Sequence, residues 1–242
     1  EILAFSLVLS VSGTLHDVTE GMLLQSSIPA LGGFLGAVHG FEREGAIAAL
    51  SRNATLITTG ILKDPLTQDR HCKTFLELMP GIGTVFSQEH KTADSLMAAF
   101  FRHAPESKLV TDDFPHLRED ISTMFAYLRQ AREVNAKGVN VLLYGPPGTG
   151  KTELARLSAQ STGLNLYEVP VDDNGDPGIP GKRLSSYLIC QRLLARNASA
   201  LILFDECEDV FPVEEHSLFG MLKKSGHDKG FTNRLLEENP VP

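Results

Sequence analysis

The stretch VNVLLYGPPGTGKT, residues 139–152, decides how this chain folds: an apolar run enters a glycine-rich turn and closes on Lys151 and Thr152. Its last eight residues fit G-x-x-x-x-G-K-[ST], with Gly145, Gly150, Lys151 and Thr152 at the fixed positions. The apolar run predicts a strand, and the residues behind the turn predict a helix from Thr152 to Ser161 that ends at Gly163. A phosphate chain carries dense negative charge. Backbone N–H groups converging on a helix N-terminus meet that charge where the helix dipole is positive. Gly148 and Gly150 allow the backbone to wrap phosphates in conformations that a Cβ disfavours, while Pro146 and Pro147 stiffen the entry. Lys151 is expected to reach the β- and γ-phosphates. Thr152 offers a hydroxyl to Mg2+, a cation that takes hard oxygen ligands. The segment Gly145, Pro146, Pro147, Gly148, Thr149, Gly150, Lys151, Thr152 and Glu153 is therefore the expected nucleotide-binding stretch.

Downstream, Leu164 to Val171 predicts a second strand, Asp172 to Gly181 a polar loop, and Arg183 to Asn197 a helix. The run ALILF at 200–204 has the continuous apolar character of a strand buried on both faces of a parallel sheet. It ends in Asp205 and Glu206. Ligands of parallel α/β sheets sit at the carboxyl ends of the strands, so these two carboxylates face the same edge as the phosphate loop. Asp205 is expected to help hold Mg2+ through its water shell, and Glu206 to polarise an attacking water. Lys151 and the metal would stabilise charge on the transferring phosphoryl group. The competing reading makes Glu206 a helix N-terminal acid, a role that Glu208 and Asp209 fill more naturally.

Upstream, residues 2–12 (ILAFSLVLSVS) resemble the apolar part of a signal peptide, but no basic segment precedes them. Gly21 to Phe41 carries no charge. Pro29, five glycines and polar Gln25, Ser26, Ser27 and His39 interrupt that window, which favours buried helices over a membrane span. A helix through 42–53 starts on Glu42 and Glu44, and β-branched residues at 54–65 predict an extended piece. Phe75 to Met79 and Ala93 to His103 predict further amphipathic helices. Charged, proline-containing 103–116 reads as a linker. Leu117 to Val134 follows as a helix, with Ile121, Met124, Phe125 and Leu128 at helical spacing. The expected division is a mainly helical domain over 1–107, with a degenerate winged helix as one candidate form, and an α/β domain over 108–242.

Composition bounds the function. The net charge is −8, and residues 1–120 hold 15 acidic against 9 basic side chains, with no basic run of the kind that contacts nucleic-acid phosphates. Cys72, Cys190 and Cys207 are far apart and odd in number. They read as reduced thiols of a cytoplasmic protein rather than a disulfide frame or zinc site.

The chain resembles the AAA+ ATPases. GPPGTGKT at 145–152 is similar to their Walker A motif, LILFDE at 201–206 to their Walker B motif, and DECEDVFP with Asn233-Arg234-Leu235-Leu236 to the segment that follows. The resemblance covers residues 112–242. It implies a P-loop NTPase fold with a parallel sheet flanked by helices, ATP and Mg2+ as cofactors, ATP hydrolysis, a homo-oligomeric ring and a macromolecular client; the acidic charge and the interrupted apolar window at 21–41 add the expectation of a protein client rather than nucleic acid and of no membrane attachment. Ile179-Pro180-Gly181 takes the place of the first pore loop, but Ile179 stands where the family has an aromatic residue. By the same resemblance, the chain is expected to stop before the sensor 1 strand, leaving the arginine finger and lid beyond residue 242 and weakening hydrolysis by this piece alone. Two other functions compete with a remodelling motor: a nucleotide-dependent switch or scaffold, suggested by the unusual Ile179-Pro180 pair, and a small-molecule kinase, which the Asp205-Glu206 pair fits less well.

Overall fold

The computed structural model describes residues 2–23, 28–40, 42–51, 54–62, 76–171, 180–207 and 235–241. Two compact units emerge: residues 1–96 with 181–189, and residues 97–180 with 190–242. The division falls upstream of the one expected at residue 108, because residues 102–108 are tied by backbone and side chain to the second unit.

In the first unit, α1 (Ile2–Val11) and α2 (Gly13–Leu23) meet at Ser12 with a bend of 116°. No single described helix is long and apolar enough to cross a membrane, and this bent pair passes by length and composition only. The serine hydroxyls of α1 are absorbed locally: Ser6 donates to the Ile2 carbonyl at 2.8 Å and Ser10 to that of Leu7 at 2.7 Å. Helices α3 (Ile28–His39) and α4 (Arg43–Ala49) pack closely because Gly32 has no Cβ, where one would collide with Ile47. Leu9, Leu31, Leu35, Leu50 and Leu62 form the core between these elements.

Of the extended piece expected at 54–65, residues 63–65 lie outside the described residues, Thr55–Thr58 form a one-turn helix, α5, and Leu62 alone makes a β-bridge, to Leu78. Thr58 and Thr59 donate their hydroxyls to the carbonyls of Ala54 and Thr55, at 3.1 and 2.6 Å, which offsets the poor helix propensity of threonine. The helix expected at 75–79 is likewise absent over its described part. Leu76 has φ 46°, Leu78 bridges Leu62, and Pro80 disfavours helical geometry at Met79. Most of the residues between that bridge, 63–75, lie outside the described set, as does any wing they would supply. Two short helices follow, α6 (Ile82–Ser87) and α7 (Ala93–Met97).

The second unit starts with β1 (Arg102–His103), passes two 3-10 turns at 111–117, and enters α8 (Arg118–Glu133). Glu119 and Asp120 favour the first turn of α8, and Ile121, Phe125, Leu128 and Ala131 bury one face. Then come α9 (Lys151–Thr162), β2 (Asn165–Glu168) and β3 (Ala200–Leu203), while α10 (Pro180–Leu194), between β2 and β3 in sequence, is divided between the units, with its residues 181–189 in the first. Phe114, Ile121, Phe125, Leu154 and Leu157 form one core cluster, and Leu128, Ala159, Leu164 and Leu166 a second beneath the sheet. As expected, α9 ends at Gly163, with φ 67°, and Arg132 donates to the carbonyls of Thr162 and Gly163 at 3.3 and 3.2 Å.

The sheet corrects one expectation in part. Strands β2 and β3 are parallel, with Asn165 opposite Ala200 and Glu168 opposite Leu203, but β1 pairs antiparallel to β2, so the described sheet is mixed. The run 139–144 is not a strand. Its start is anchored, since Gly138 N–H donates to the Asn239 carbonyl at 2.8 Å and the Asn140 amide to that of Leu236 at 2.8 Å. Beyond Asn140, no described segment offers a ladder partner, and Leu142 and Tyr144 are 72% and 88% exposed. A strand is defined by its neighbour's hydrogen bonds, which an apolar pattern cannot supply by itself.

Candidate functional site

The phosphate-loop residues lie on the rim of the second unit, on the turn that opens α9. Gly150 is the N-cap of that helix with φ 84°, and Gly148 has φ 77°, a left-handed geometry that strains any residue bearing a Cβ. The first intrahelical bond runs from Leu154 N–H to the Gly150 carbonyl at 2.8 Å. Helix geometry therefore leaves the N–H groups of Lys151, Thr152 and Glu153 without intrahelical acceptors, pointing out of the positive end of the dipole. Lys151 Nζ lies over the turn and donates to the carbonyls of Gly145 and Pro146 at 3.0 and 2.9 Å. Thr149 Oγ1 donates to the Pro146 carbonyl at 2.9 Å, tightening the same turn.

Asp205, 53 residues from Thr152 in sequence, meets it directly: Thr152 Oγ1 donates to Asp205 Oδ2 at 2.6 Å. Parallel pairing of β2 with β3 puts the end of β3 beside the start of α9, so both candidate metal residues share one edge. The other carboxylate oxygen of Asp205 accepts the Glu206 N–H at 3.0 Å. Glu206 adopts φ 49°, unusual for a residue with a Cβ, and its side chain is exposed. Backbone strain of this kind costs about 1–3 kcal/mol and concentrates at functional sites.

The side chain of Glu153 turns away from the loop. Its carboxylate accepts the Lys108 N–H at 2.8 Å, the Ser107 hydroxyl at 3.3 Å and Arg156 Nη1 at 2.7 Å. The Lys108 N–H bond leads in holding its pKa below the usual value, and Arg156 adds to it against the opposing effect of burial. Arg156 in turn donates Nε and Nη2 to Glu168 Oε1 at 2.9 and 2.7 Å. Burial works to lower the pKa of Arg156, but the bonds to Glu168 and Glu153 outweigh it and raise the value.

Sequence reading did not single out Ser107, Lys108, Arg156 and Glu168. The i, i+3 spacing of Glu153 and Arg156 was the available signal. Of the residues expected at the first pore loop, Pro180 and Gly181 open α10, while Ile179 lies outside the described residues.

The donor set suits a triphosphate and a hard cation. It offers three helix N–H groups, one ammonium, one hydroxyl and one carboxylate, and the space where a Gly148 Cβ would project is open.

Residues 141–238 match the model of the family described as "ATPase family associated with various cellular activities (AAA)". The chain is similar to Protein SAV of Sulfolobus acidocaldarius, 33% identical over 40% of this chain and 12% of that protein. It is similar to the ATP-dependent zinc metalloprotease FtsH of Hahella chejuensis, 29% identical over 51% of this chain and 19% of that one. It also matches the peroxisomal ATPase PEX1 of Cricetulus griseus, 31% identical over 40% of this chain and 7% of that one. The matches thus span less than a fifth of the length of each of these relatives. No solved structure matches the chain. Residues 141–238, with the phosphate loop at their start and Asp205 and Glu206 within them, are thus the part of the chain that matches the AAA ATPase family.

Proposed function

We propose that the second unit binds ATP with Mg2+ and hydrolyses it to ADP and phosphate, and that the full-length protein uses this cycle as a homo-oligomeric ring in the cytoplasm to remodel a protein client. The observation that carries the site is the 2.6 Å hydrogen bond between Thr152 and Asp205, which joins the phosphate loop to the acidic end of β3. The N–H groups at the start of α9 and Lys151 hold the β- and γ-phosphates. Thr152 and Asp205 hold the cation, directly or through water. When bound, Mg2+ draws charge from the phosphate oxygens. Mg2+ prefers to keep water and substrate phosphate oxygens beside one or two protein ligands, which the Thr152–Asp205 pair would supply. Glu206, exposed at the end of β3, accepts a proton from, or orients, the attacking water.

The relatives support the class of the reaction: two of them are named as an ATPase and an ATP-dependent protease. The test is Glu206→Gln in the full-length protein. ATP affinity stays within about threefold, and turnover falls by about a hundredfold or more, as expected when a general base is lost. Unchanged turnover would falsify the role given to Glu206.

A further inference from the structure

We infer that Glu153 is a positioning residue for nucleotide binding: the ion-pair chain Arg102–Glu168–Arg156–Glu153 fixes the Ser107–Val110 segment so that Leu109 and Phe114 buttress Gly150 of the phosphate loop. This inference rests on the nucleotide reading proposed above.

The chain begins in the sheet. Glu168 ends β2, opposite Arg102 of β1 and Leu203 of β3, and its side chain is 9% exposed. Arg102 Nε lies 3.7 Å from one of its oxygens, and Arg156 donates twice to the other. Arg156 then reaches Glu153 Oε1 at 2.7 Å, which leaves Oε2 of Glu153 to accept Lys108 N–H and the Ser107 hydroxyl. The 107–114 segment continues the order. Ser107 Oγ donates to the Leu109 carbonyl at 3.0 Å, and Val110 N–H donates to Asp113 Oδ2 at 2.8 Å. Phe114 and Leu109 then pack on the cluster of Ile121, Leu154 and Leu157. A Cβ built on Gly150 would lie 3.1 Å from Phe114 Cε1 and 3.8 Å from Leu109 Cδ1, so these side chains press directly on the backbone that aims the loop.

Electrostatics gives the arrangement its purpose. Glu153 stands one residue beyond Thr152 at the mouth of α9, where an uncompensated carboxylate would repel a triphosphate. Turning it onto Lys108 N–H and pairing it with Arg156 converts that charge into an anchor. The first turn of α9 is left to the phosphate.

The test uses the 242-residue chain, MgATP titrated by calorimetry, and hydrogen exchange read at 107–110 without nucleotide. Glu153→Ala raises the Kd for MgATP by about tenfold, the loss of one charge-assisted hydrogen bond's worth of order, and speeds exchange at Lys108 to Val110. Exchange across α8 stays as it was. Glu153→Gln, which keeps an oxygen acceptor for Lys108 N–H, brings the Kd back to within about threefold, a recovery that loss of helix stability alone would not show. If the alanine variant cannot be purified, Glu153→Met fills the same volume without accepting a hydrogen bond and carries the comparison. Wild-type affinity in the alanine or methionine variant overturns the inference, as does unchanged exchange at 107–110. If the unsubstituted chain binds no MgATP, the proposed function fails and the inference falls with it. If it binds and the variants bind equally, the inference alone fails.

Discussion

Replacing Arg156 with leucine tests how strongly the second unit depends on its charge network. The Glu168 side chain is 9% exposed and takes two hydrogen bonds from Arg156, at 2.9 and 2.7 Å, while Arg102 stands further off at 3.7 Å and is 59% exposed. Removing one partner of such a buried pair strands a carboxylate at a cost of about 3–5 kcal/mol. Arg102 can move closer in compensation, which places the expectation near the bottom of that range, at about 3 kcal/mol. For a unit of this size that is a fall in Tm of about 8–12 °C. The assay is urea unfolding followed by far-ultraviolet circular dichroism, with Tyr167 fluorescence as a local probe. Its ring lies 4.2 Å from that of His103 in the same sheet, and replacing Tyr127, Tyr144 and Tyr187 with phenylalanine isolates its signal in a chain without tryptophan. Arg156→Leu with Glu168→Leu should recover most of the loss, because an apolar pair of similar volume needs no compensation for desolvated charge. A single variant losing less than about 1 kcal/mol, or a double variant as unstable as the single, would refute the reasoning.

Three further outcomes follow from local geometry. Glu153 has a folded pKa below its ordinary value of 4.5. The stability it contributes is complete above about 4.5 and is lost as pH falls through the lowered folded value, so Glu153→Gln should flatten the acid limb of the stability profile. An acid limb unchanged by the substitution contradicts that pairing. The Cys190 thiol is fully buried, and burial pushes its pKa up to about 12, so iodoacetamide should label Cys207 in the native chain and reach Cys190 only in urea. Mass spectrometry of native and unfolded samples decides this. Gly150→Ala places a Cβ 3.1 Å from Phe114 at φ 84° and should cost about 1–2 kcal/mol, together with a weaker MgATP affinity, whereas an equally stable and equally tight variant would show that the left-handed turn is dispensable.

Some of this was legible in the residues. The helix ending at Gly163, the amphipathic face of α8 and the parallel pairing of β2 with β3 follow from local periodicity and capping, and the structure bears them out. The meeting of Thr152 with Asp205 was legible too, because a fixed motif and an apolar parallel strand ending in acids share one sheet edge, although β3 is only partly buried beyond Ala200. Other features depended on partners that pattern alone does not name. The run at 139–144 has strand composition but needs ladder neighbours beyond Asn140. The threonines at 55–59 prefer strands until their hydroxyls find helix carbonyls. The Glu153–Arg156–Glu168 chain crosses from helix to sheet, and only the three-dimensional register brings Glu168 under Arg156. Asp172 to Ile179, where most of the polar loop before α10 was expected, lies outside the described residues.

The most direct test of the central claim, that Thr152 and Asp205 complete one metal–nucleotide site with the phosphate loop, is a calorimetric titration of ATP into the chain and into Asp205→Asn, each with and without Mg2+. The account predicts that Mg2+ tightens ATP binding to the unsubstituted chain by about tenfold or more, and that this gain disappears in Asp205→Asn while metal-free binding survives. An equal Mg2+ dependence in both proteins would contradict it.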